Sequence, residues 1–191
     1  MNSLKEHIFP YQSFIGGWYI PEDVCDNLIN YAKLNFNNFK NGCLGGGVID
    51  KDTKESLDLP IYKYDNEKVI VEYRQNLQEV LMLYQQKYDE LKNIMRYDII
   101  ENFNLQYYGP NGGFKKWHNE RSFNRNRNLV FMTFLNNVPD GGTLFKYQQI
   151  ICPAKKGLTL IWPTDWTHTH KGQVSSKYEK YIITGWYGYC V

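Results

Sequence analysis

The sequence lacks the features that mark several classes of protein. Its four cysteines, Cys25, Cys43, Cys152 and Cys190, form no Cys-x-x-Cys pair and no zinc-ribbon spacing, which argues against a disulfide framework or a structural zinc. An N-terminal apolar run typical of a signal peptide is missing, and no stretch approaches the roughly 18 apolar residues of a membrane span. We therefore expect free thiols in a cytoplasmic protein without a membrane partner.

Charge and composition are those of an ordinary globular protein. The net charge is only +2, which neither requires nor excludes a nucleic-acid partner. Aromatic residues are frequent, at 16%, and charged residues make up 22%, which argues against disorder. At 191 residues the chain is long enough for one core and short for two, so we predict a single domain over 1–191.

The first half of the chain predicts two helices. Residues 1–19 mix aromatic and polar side chains and suggest an edge strand or an extended segment. Apolar residues recur at helical spacing over 21–36 and again over about 66–95, which predicts a helix in each range. Between them, residues 41–58 contain a triple glycine, interpreted as a turn, and a polar stretch interpreted as a lid or an irregular segment.

After Arg96 the pattern changes to short β-like runs separated by Gly, Asn, Asp and Pro. Many short strands with turn signals predict a sandwich, a barrel or a jelly roll. The sequence Val-Pro-Asp-Gly-Gly at 138–142 is interpreted as a turn between strands. The predicted strands are 97–108, 113–118, 128–136, 143–147, 157–162, a short piece around 167–170, and 180–187.

The segment 117–120, Trp-His-Asn-Glu, supplies two types of metal ligand two residues apart. If it is a strand, His118 and Glu120 point to the same face. An imidazole and a carboxylate, joined by a second imidazole, form the two-histidine-one-carboxylate facial triad of non-haem Fe(II) enzymes. That triad leaves three coordination positions open.

The second imidazole has three candidates in the sequence, His7, His168 and His170. His7 lies far from the segment and is interpreted as a surface residue. His168 and His170 lie two residues apart on a predicted strand, so they share one face and position alone does not separate them. Lys180 follows ten residues after His170 and opens the strand-like run Lys-Tyr-Ile-Ile-Thr-Gly-Trp-Tyr.

The order of these residues resembles the 2-oxoglutarate- and Fe(II)-dependent dioxygenases. It consists of His-x-acid at 118–120, a histidine about fifty residues later, and a basic residue ten residues after that histidine. Tyr108, ten residues before the first histidine, and Pro-Asp-Gly-Gly-Thr at 139–143 add to the resemblance. More specifically, the sequence resembles the prolyl-4-hydroxylase-like branch in its phage and marine-bacterial forms. The resemblance covers about residues 96–189.

The resemblance implies a fold and cofactors. The fold is α+β but mainly β, a double-stranded β-helix (jelly roll) at about 96–189 with supporting helices at about 20–95. The cofactors are Fe(II), 2-oxoglutarate as co-substrate, and O2. His170 is favoured over His168, because its distance to Lys180 matches the family pattern. The family more often has Asp at the position of Glu120, so a backbone shift or a different carboxylate coordination is expected.

The resemblance also implies a co-substrate pocket. A carboxylate of 2-oxoglutarate needs a cation, and Lys180 meets that need. On an extended strand Lys180, Thr184 and Trp186 share the inward face, so Thr184 adds a hydroxyl and Trp186 a wall. Tyr108 matches a family tyrosine that donates its phenol to the co-substrate. Phe134, where some relatives have a second such tyrosine, is predicted only to line the pocket.

The implied activity is hydroxylation of an unactivated C–H bond, with release of succinate and CO2. The family branch favours a prolyl or other residue of a peptide or protein. The alternatives are an oxygenase acting on a small molecule or nucleic acid, a jelly-roll binding module without turnover, and a zinc hydrolase with the same ligands. The loop 121–127, with three arginines around one aromatic residue, is interpreted as a solvated surface, with an acidic peptide or nucleic acid as the alternatives.

Overall fold

The computed structural model describes residues 4–121 and 125–190. Two α-helices, α1 at Glu22–Leu34 and α2 at Lys68–Lys87, lie in the N-terminal half. The strands are β1 Lys5–Glu6, β2 Gly16–Tyr19, β3 Lys40–Asn41, β4 Lys54–Glu55, β5 Leu57–Ile61, β6 Tyr97–Ile99, β7 Phe103–Tyr108, β8 Gly113–Phe114, β9 Leu129–Phe134, β10 Val138–Phe145, β11 Ile150–Ala154, β12 Leu158–Pro163, β13 His170–Gly172 and β14 Lys180–Tyr189.

The strands form one large sheet, one small sheet and one short pair. The large sheet has the order β1-β2-β12-β9-β14-β7-β5-β3, with β6 also paired to β14. The small sheet has the order β11-β10-β13, and β4 pairs with β8. The pairings are antiparallel, so neighbouring strands run in opposite directions.

Strand β9 shows how the large sheet separates two cores. Leu129 and Phe131 pack with helices α1 and α2 in one cluster of buried residues. Val130, Met132 and Phe134 point the other way and pack with residues of the small sheet. Successive side chains of a strand alternate between faces, so a strand covered on both sides is apolar throughout. The cavity described below lies on the side of the small sheet.

Helix α2 covers the outer face of the large sheet through residues at helical spacing. Tyr73, Leu77, Val80 and Tyr84 are each at most 1% exposed. The Tyr73 hydroxyl also bonds Thr133 on β9 at 3.0 Å, which ties the helix to the sheet. Burying this apolar stripe stabilises a helix whose polar face stays in water.

The predicted helices are confirmed in position, but the second is shorter than expected. Helix α2 ends at Lys87, because Tyr88 leaves the helical conformation, with φ −120° and ψ 77°. A separate 3-10 turn follows at Asp89–Asn93. The apolar spacing continues through this turn, so the pattern alone overestimates the helix.

Two predicted features of the β region are wrong in detail. The residues 138–142, predicted as a turn, belong to strand β10, whose register against β11 shifts between Val138 and Thr143. Asp140 has φ 55° there, so the turn-forming residues build a bulge within the strand. The predicted strand around 167–170 is instead a 3-10 turn, Trp166–His168, followed by β13.

Four strands were not predicted, β3, β4, β5 and β11. Three of them come from the N-terminal half, where β3 and β5, with β1 and β2, add to the large sheet. All four cysteines are unpaired. Among the described residues, neither helix has the length and apolar character needed to cross a membrane.

Candidate metal centre

His118 and His170 are brought together by their own backbones. The His118 N–H donates to the His170 carbonyl at 3.0 Å, and the His170 N–H donates back at 2.9 Å. This is an isolated bridge, so the predicted strand at 113–118 is wrong beyond Phe114. The Glu120 N–H donates to the Thr164 carbonyl at 3.2 Å, which fixes the segment after His118. The side chains of His118 and Glu120 converge without a regular strand.

Three ligand atoms meet at this point. Glu120 Oε1 lies 3.4 Å from His118 Nε2 and 3.5 Å from His170 Nε2. One ligand atom from each residue lies within 4.8 Å of the others. His170 is buried and the other two are half-buried, so the cluster is sheltered without being closed. Of the residues the structure describes, these three form a group able to hold a metal ion.

The backbone selects the tautomer of both imidazoles. His118 Nδ1 donates to the Lys116 carbonyl at 3.1 Å, and His170 Nδ1 donates to the His168 carbonyl at 2.8 Å. A carbonyl accepts only, so each Nδ1 carries the proton. In the neutral imidazole each Nε2 is then the unprotonated nitrogen, which is able to bind a metal. Metal-binding histidines are oriented in this way by a hydrogen bond at the other ring nitrogen.

The charge state of the cluster suits a divalent cation. Burial, with the neighbouring His170, lowers the pKa of His118, so this imidazole is neutral at pH 7. Burial alone would raise the pKa of Glu120, but its contacts with His118 and His170 hold that pKa well below its usual range. An ionised carboxylate oxygen and two imidazole nitrogens therefore converge on one point, where a divalent cation can bind all three. Such an N,N,O set with open positions fits Fe(II).

Aromatic rings hold both imidazoles in place. Phe114 of β8 stacks on His118, with ring centroids 3.5 Å apart and planes 12° apart. Trp162 of β12 meets His170 edge to face at 5.1 Å, and Phe145 of β10 lies 5.6 Å from it. These contacts restrict rotation of the rings, so the ligand atoms are positioned before any ion binds.

His168 is engaged elsewhere. Its Nε2 bonds the Ser13 carbonyl at 2.9 Å and its Nδ1 bonds the Thr167 hydroxyl at 3.0 Å. It lies in the 3-10 turn, so the prediction that His168 and His170 share a strand face is wrong. The contribution of His168 to the site is its carbonyl, which orients His170.

A cavity of about 420 Å³ extends from the three ligands into the space between the sheets. Its wall includes Phe134, which was predicted to line it, and Ile182. Alternate residues of β14 point into it, as expected for a strand. All seven residues singled out from the sequence line this cavity: His118, Glu120, His170, Tyr108, Lys180, Thr184 and Trp186.

Lys180 is a buried cation in the cavity wall. It is 6% exposed, and its Nζ donates to the carbonyls of Gly141 at 2.8 Å and Gln173 at 3.1 Å. Burial lowers its pKa to about 8. Among the described residues no carboxylate forms an ion pair with Lys180, so its charge is available to an anionic ligand in the cavity.

Tyr108 is hydrogen-bonded through a chain that ends in an ion pair. Lys54 Nζ lies 2.6 Å from Asp58, and Gln106 Nε2 donates to the same Asp58 oxygen at 3.1 Å. This turns Gln106 Oε1 towards Tyr108, whose hydroxyl donates to it at 2.7 Å. The single phenol proton is thus committed to Gln106, and a donation from Tyr108 to the co-substrate would require that bond to break.

The other two β14 residues make contacts that the sequence did not indicate. The Thr184 hydroxyl donates to the Phe131 carbonyl at 3.0 Å, so towards the cavity it can only accept. The Trp186 N–H donates to Glu120 Oε2 at 3.0 Å. Trp186 is therefore more than a wall, because it contacts a candidate ligand directly.

The arginine loop is partly outside the described residues, which omit Ser122 to Asn124. Arg121 pairs with Asp165 at 2.7 Å near the surface. Arg127 turns inward, lines the cavity and binds both carboxylate oxygens of Glu101, at 2.7 and 2.8 Å. The interpretation of the loop as a purely solvated surface is therefore wrong for Arg127.

Several cavity residues were missed by the sequence reasoning. Thr143 lies within the quoted Pro-Asp-Gly-Gly-Thr segment and is buried in the cavity wall, so a signal for it was present. Lys54 and Asp58 come from a segment interpreted as a lid or irregular, and no local pattern marks them as part of the pocket.

Comparison with known proteins agrees with this geometry. Residues 103–188 match the sequence profile described as the 2OG-Fe(II) oxygenase superfamily. No curated protein sequence matches the chain.

Solved structures show the same fold at low sequence identity. A prolyl-4-hydroxylase from Pseudomonas putida matches with a TM-score of 0.70 at 13% identity, covering 93% of both chains. A viral collagen prolyl hydroxylase of Paramecium bursaria Chlorella virus-1, in complex with 2-oxoglutarate, matches at 0.69 and 18%, covering 93% of this chain and 97% of that one. A prolyl hydroxylase from Trichoplax adhaerens, in complex with a hypoxia-inducible-factor peptide fragment, matches at 0.74 and 13%, covering 92% and 84%.

These matches confirm the predicted jelly-roll fold with supporting helices. They also confirm the predicted cofactors, Fe(II), 2-oxoglutarate and O2, which the donor set and the buried cation of the cavity fit. Residues 103–188 thus match the 2OG-Fe(II) oxygenase superfamily, and the chain has the fold of the solved prolyl hydroxylases.

Proposed function

We propose that this dioxygenase hydroxylates an unactivated C–H bond of a residue in a peptide or protein, with a prolyl residue as the first candidate. The observation that carries the proposal is the position of three converging ligand atoms and a buried lysine in the wall of one cavity. A zinc hydrolase has no need of that lysine, because its nucleophile is a metal-bound water.

In this proposal His118, Glu120 and His170 hold Fe(II) through Nε2, Oε1 and Nε2. Lys180 binds a carboxylate of 2-oxoglutarate, because it is a buried cation whose hydrogen bonds, among the described residues, go to two neutral carbonyls. Thr184 and Trp186 line the co-substrate pocket beside Lys180. A donor role of Tyr108 towards the co-substrate stays a prediction, since its proton is given to Gln106 here.

Bound Fe(II), with O2 and 2-oxoglutarate, supplies an oxidant that puts one oxygen atom into the substrate C–H bond and the other into succinate, with loss of CO2. The chain's own part is binding and orientation. The imidazole tautomers present lone pairs to the ion, and the apolar residues around them, such as Phe114 and Phe145, exclude water from it.

The peptide substrate is supported by analogy and by the shape of the site. The Trichoplax adhaerens neighbour was solved with a peptide fragment. In this chain the cavity also extends beyond the three ligands to residues 40–41, 43–45, 101–102, Asn104 and Arg127. This extended wall offers charged, amide and apolar groups to a peptide segment. The cytoplasmic location stays a prediction.

The test is turnover with defined peptides. Purified protein is incubated with Fe(II), ascorbate and 2-oxoglutarate, and succinate is measured with and without peptides that differ only in having proline or alanine at one position. We expect proline peptides to raise succinate formation and to gain one oxygen atom by mass spectrometry. His118→Ala serves as the inactive control.

Two results would contradict different parts of the proposal. Succinate formation that no peptide stimulates, but a small molecule or an oligonucleotide does, would refute the peptide substrate alone. Protein that binds Fe(II) and never converts 2-oxoglutarate would refute oxygenase turnover and favour a binding module.

A further inference from the structure

The two carboxylate oxygens of Glu120 have different surroundings. Oε1 faces the imidazoles, 3.4 Å from His118 Nε2 and 3.5 Å from His170 Nε2. Oε2 faces away, accepting the Trp186 N–H at 3.0 Å and lying 3.5 Å from Arg127 Nη1. One oxygen is thus free for a metal, while the other is occupied by two donors of the protein.

The two donors are themselves held in place. The guanidinium of Arg127 lies over the Trp186 ring, with Cζ 3.4 Å from the ring centroid. Arg127 also forms a two-point ion pair with Glu101, at 2.7 and 2.8 Å, and its side chain is only 13% exposed. Rotation of Glu120 about its last bond would break both contacts at Oε2. A forked, stacked arginine is a rigid partner.

The backbone on either side is tied as well. The N–H groups of Glu120 and Arg121 both donate to the Thr164 carbonyl, at 3.2 and 3.3 Å. The Thr164 hydroxyl donates in turn to the Arg127 carbonyl at 2.8 Å. Strand β12, which ends at Pro163, thereby fixes the distance between Glu120 and the arginine that contacts it.

We infer that Trp186 and Arg127 are positioning residues that restrict Glu120 to binding the metal through Oε1 alone. The inference rests on the proposed function, since it concerns the same iron site. A glutamate has one more rotatable bond than the aspartate that is commoner in this family, so it has more ways to turn both oxygens to an ion. One-oxygen binding leaves three positions of the facial triad open, and two-oxygen binding leaves two.

The open positions matter for the reaction. A 2-oxo acid that chelates through two atoms and a molecule of O2 need three positions together. If Glu120 bound through both oxygens, the protein would occupy four coordination positions, and the 2-oxo acid or O2 would have to compete with Glu120 for one of them. Trp186 and Arg127 therefore compensate for the longer side chain by keeping Oε2 away from the ion.

The test removes the indole N–H of Trp186 and keeps an aromatic ring at that position. Trp186→Phe loses the donor to Oε2 but retains an aromatic surface under Arg127. Trp166→Phe is the matched control, because Trp166 is 66% exposed and outside the cavity wall. Mn(II) is the probe, in the absence of 2-oxoglutarate. Two quantities are measured, the affinity for Mn(II) and the water-proton relaxation per bound ion. The relaxation reports the number of exchangeable waters on the ion.

The wild type and Trp166→Phe should bind Mn(II) alike, with the relaxation expected for three open positions. For Trp186→Phe the relaxation per bound ion should fall, since the second oxygen of Glu120 then fills a further position in place of a water. Relaxation per ion equal to that of wild type would overturn the inference.

A second substitution guards against a folding defect. Glu120→Asp in the Trp186→Phe protein has a shorter carboxylate that reaches the ion less easily with both oxygens, so relaxation per ion should return towards the wild-type value. No recovery would count against the inference. Failure of the proposed function looks different, because the wild type would then bind metal without converting 2-oxoglutarate.

Discussion

Lys180 gives the most quantitative prediction of the structure, because one substitution should change stability and co-substrate binding in opposite directions. Burial lowers its pKa from 10.5 to about 8. The unfolded chain therefore holds this proton more tightly than the folded one, and stability rises with pH between about 8 and 10.5. Below pH 8 the folded protein bears the full cost of a buried charge, about 3 kcal/mol.

Lys180→Met removes that cost and fills similar space. It also leaves the carbonyls of Gly141 and Gln173 without a donor, which lowers the free energy of unfolding by about 1–2 kcal/mol. We expect a net gain of about 1–2 kcal/mol in the free energy of unfolding at pH 7 without 2-oxoglutarate. The gain should shrink as the pH rises from about 8 towards 10.5.

Co-substrate binding should change the other way. Removal of one partner from a buried charged pair costs about 2–5 kcal/mol of binding free energy, so the Kd for 2-oxoglutarate should rise by about 30-fold or more. Because binding needs the protonated lysine, wild-type affinity should also decrease above pH 8.

The assay combines urea unfolding at pH 7 and 9 with calorimetric titration of 2-oxoglutarate into the metal-loaded protein. Lys177→Met is the control, because that lysine is exposed in the same region of the chain. If Lys180→Met were less stable than wild type at pH 7 and bound 2-oxoglutarate as tightly, Lys180 would be an ordinary structural residue and the reasoning would be refuted.

Three further predictions follow from the contacts. His118→Ala should abolish Fe(II) binding while the far-ultraviolet circular dichroism spectrum stays that of wild type; iron bound with unchanged affinity would remove His118 from the ligand set. Tyr108→Phe should change the Kd for 2-oxoglutarate by less than about fivefold, since the hydroxyl donates to Gln106; a loss comparable to that of Lys180→Met would show that Tyr108 donates to the co-substrate. Phe131→Ala, at a fully buried position, should cost about 3–5 kcal/mol in urea unfolding, and a cost below about 1 kcal/mol would contradict its place between the sheet and the helices.

The candidate ligands could be found from the sequence because their arrangement is largely local. Lys180, Thr184 and Trp186 alternate along one strand, so period-two geometry brings them to one face. His118 and Glu120 are two residues apart in sequence, although they converge outside a regular strand. The remaining choice between His168 and His170 needed the resemblance. The structure accounts for it, because a 3-10 turn directs His168 to the Ser13 carbonyl.

What the sequence did not predict depends on contacts distant along the chain. Asp58 reaches Gln106 across 48 residues, and nothing near Asp58 in sequence marks it as part of the pocket. In sequence Arg127 is one of three arginines in a loop, and only its contacts with Glu101 and Trp186 in the structure distinguish it. Bulges such as that in β10 use the same residues as turns, so composition does not distinguish them.

The central claim is that His118, Glu120 and His170 hold an iron to which 2-oxoglutarate binds directly. The most direct measurement is an anaerobic titration of the metal-free protein with Fe(II) and then 2-oxoglutarate, following the weak visible charge-transfer band of a chelated 2-oxo acid. We expect the band in wild type and in His168→Ala, and its loss in His170→Ala. Iron shown to be bound without a band in wild type, or a band that survives His170→Ala, would contradict the account.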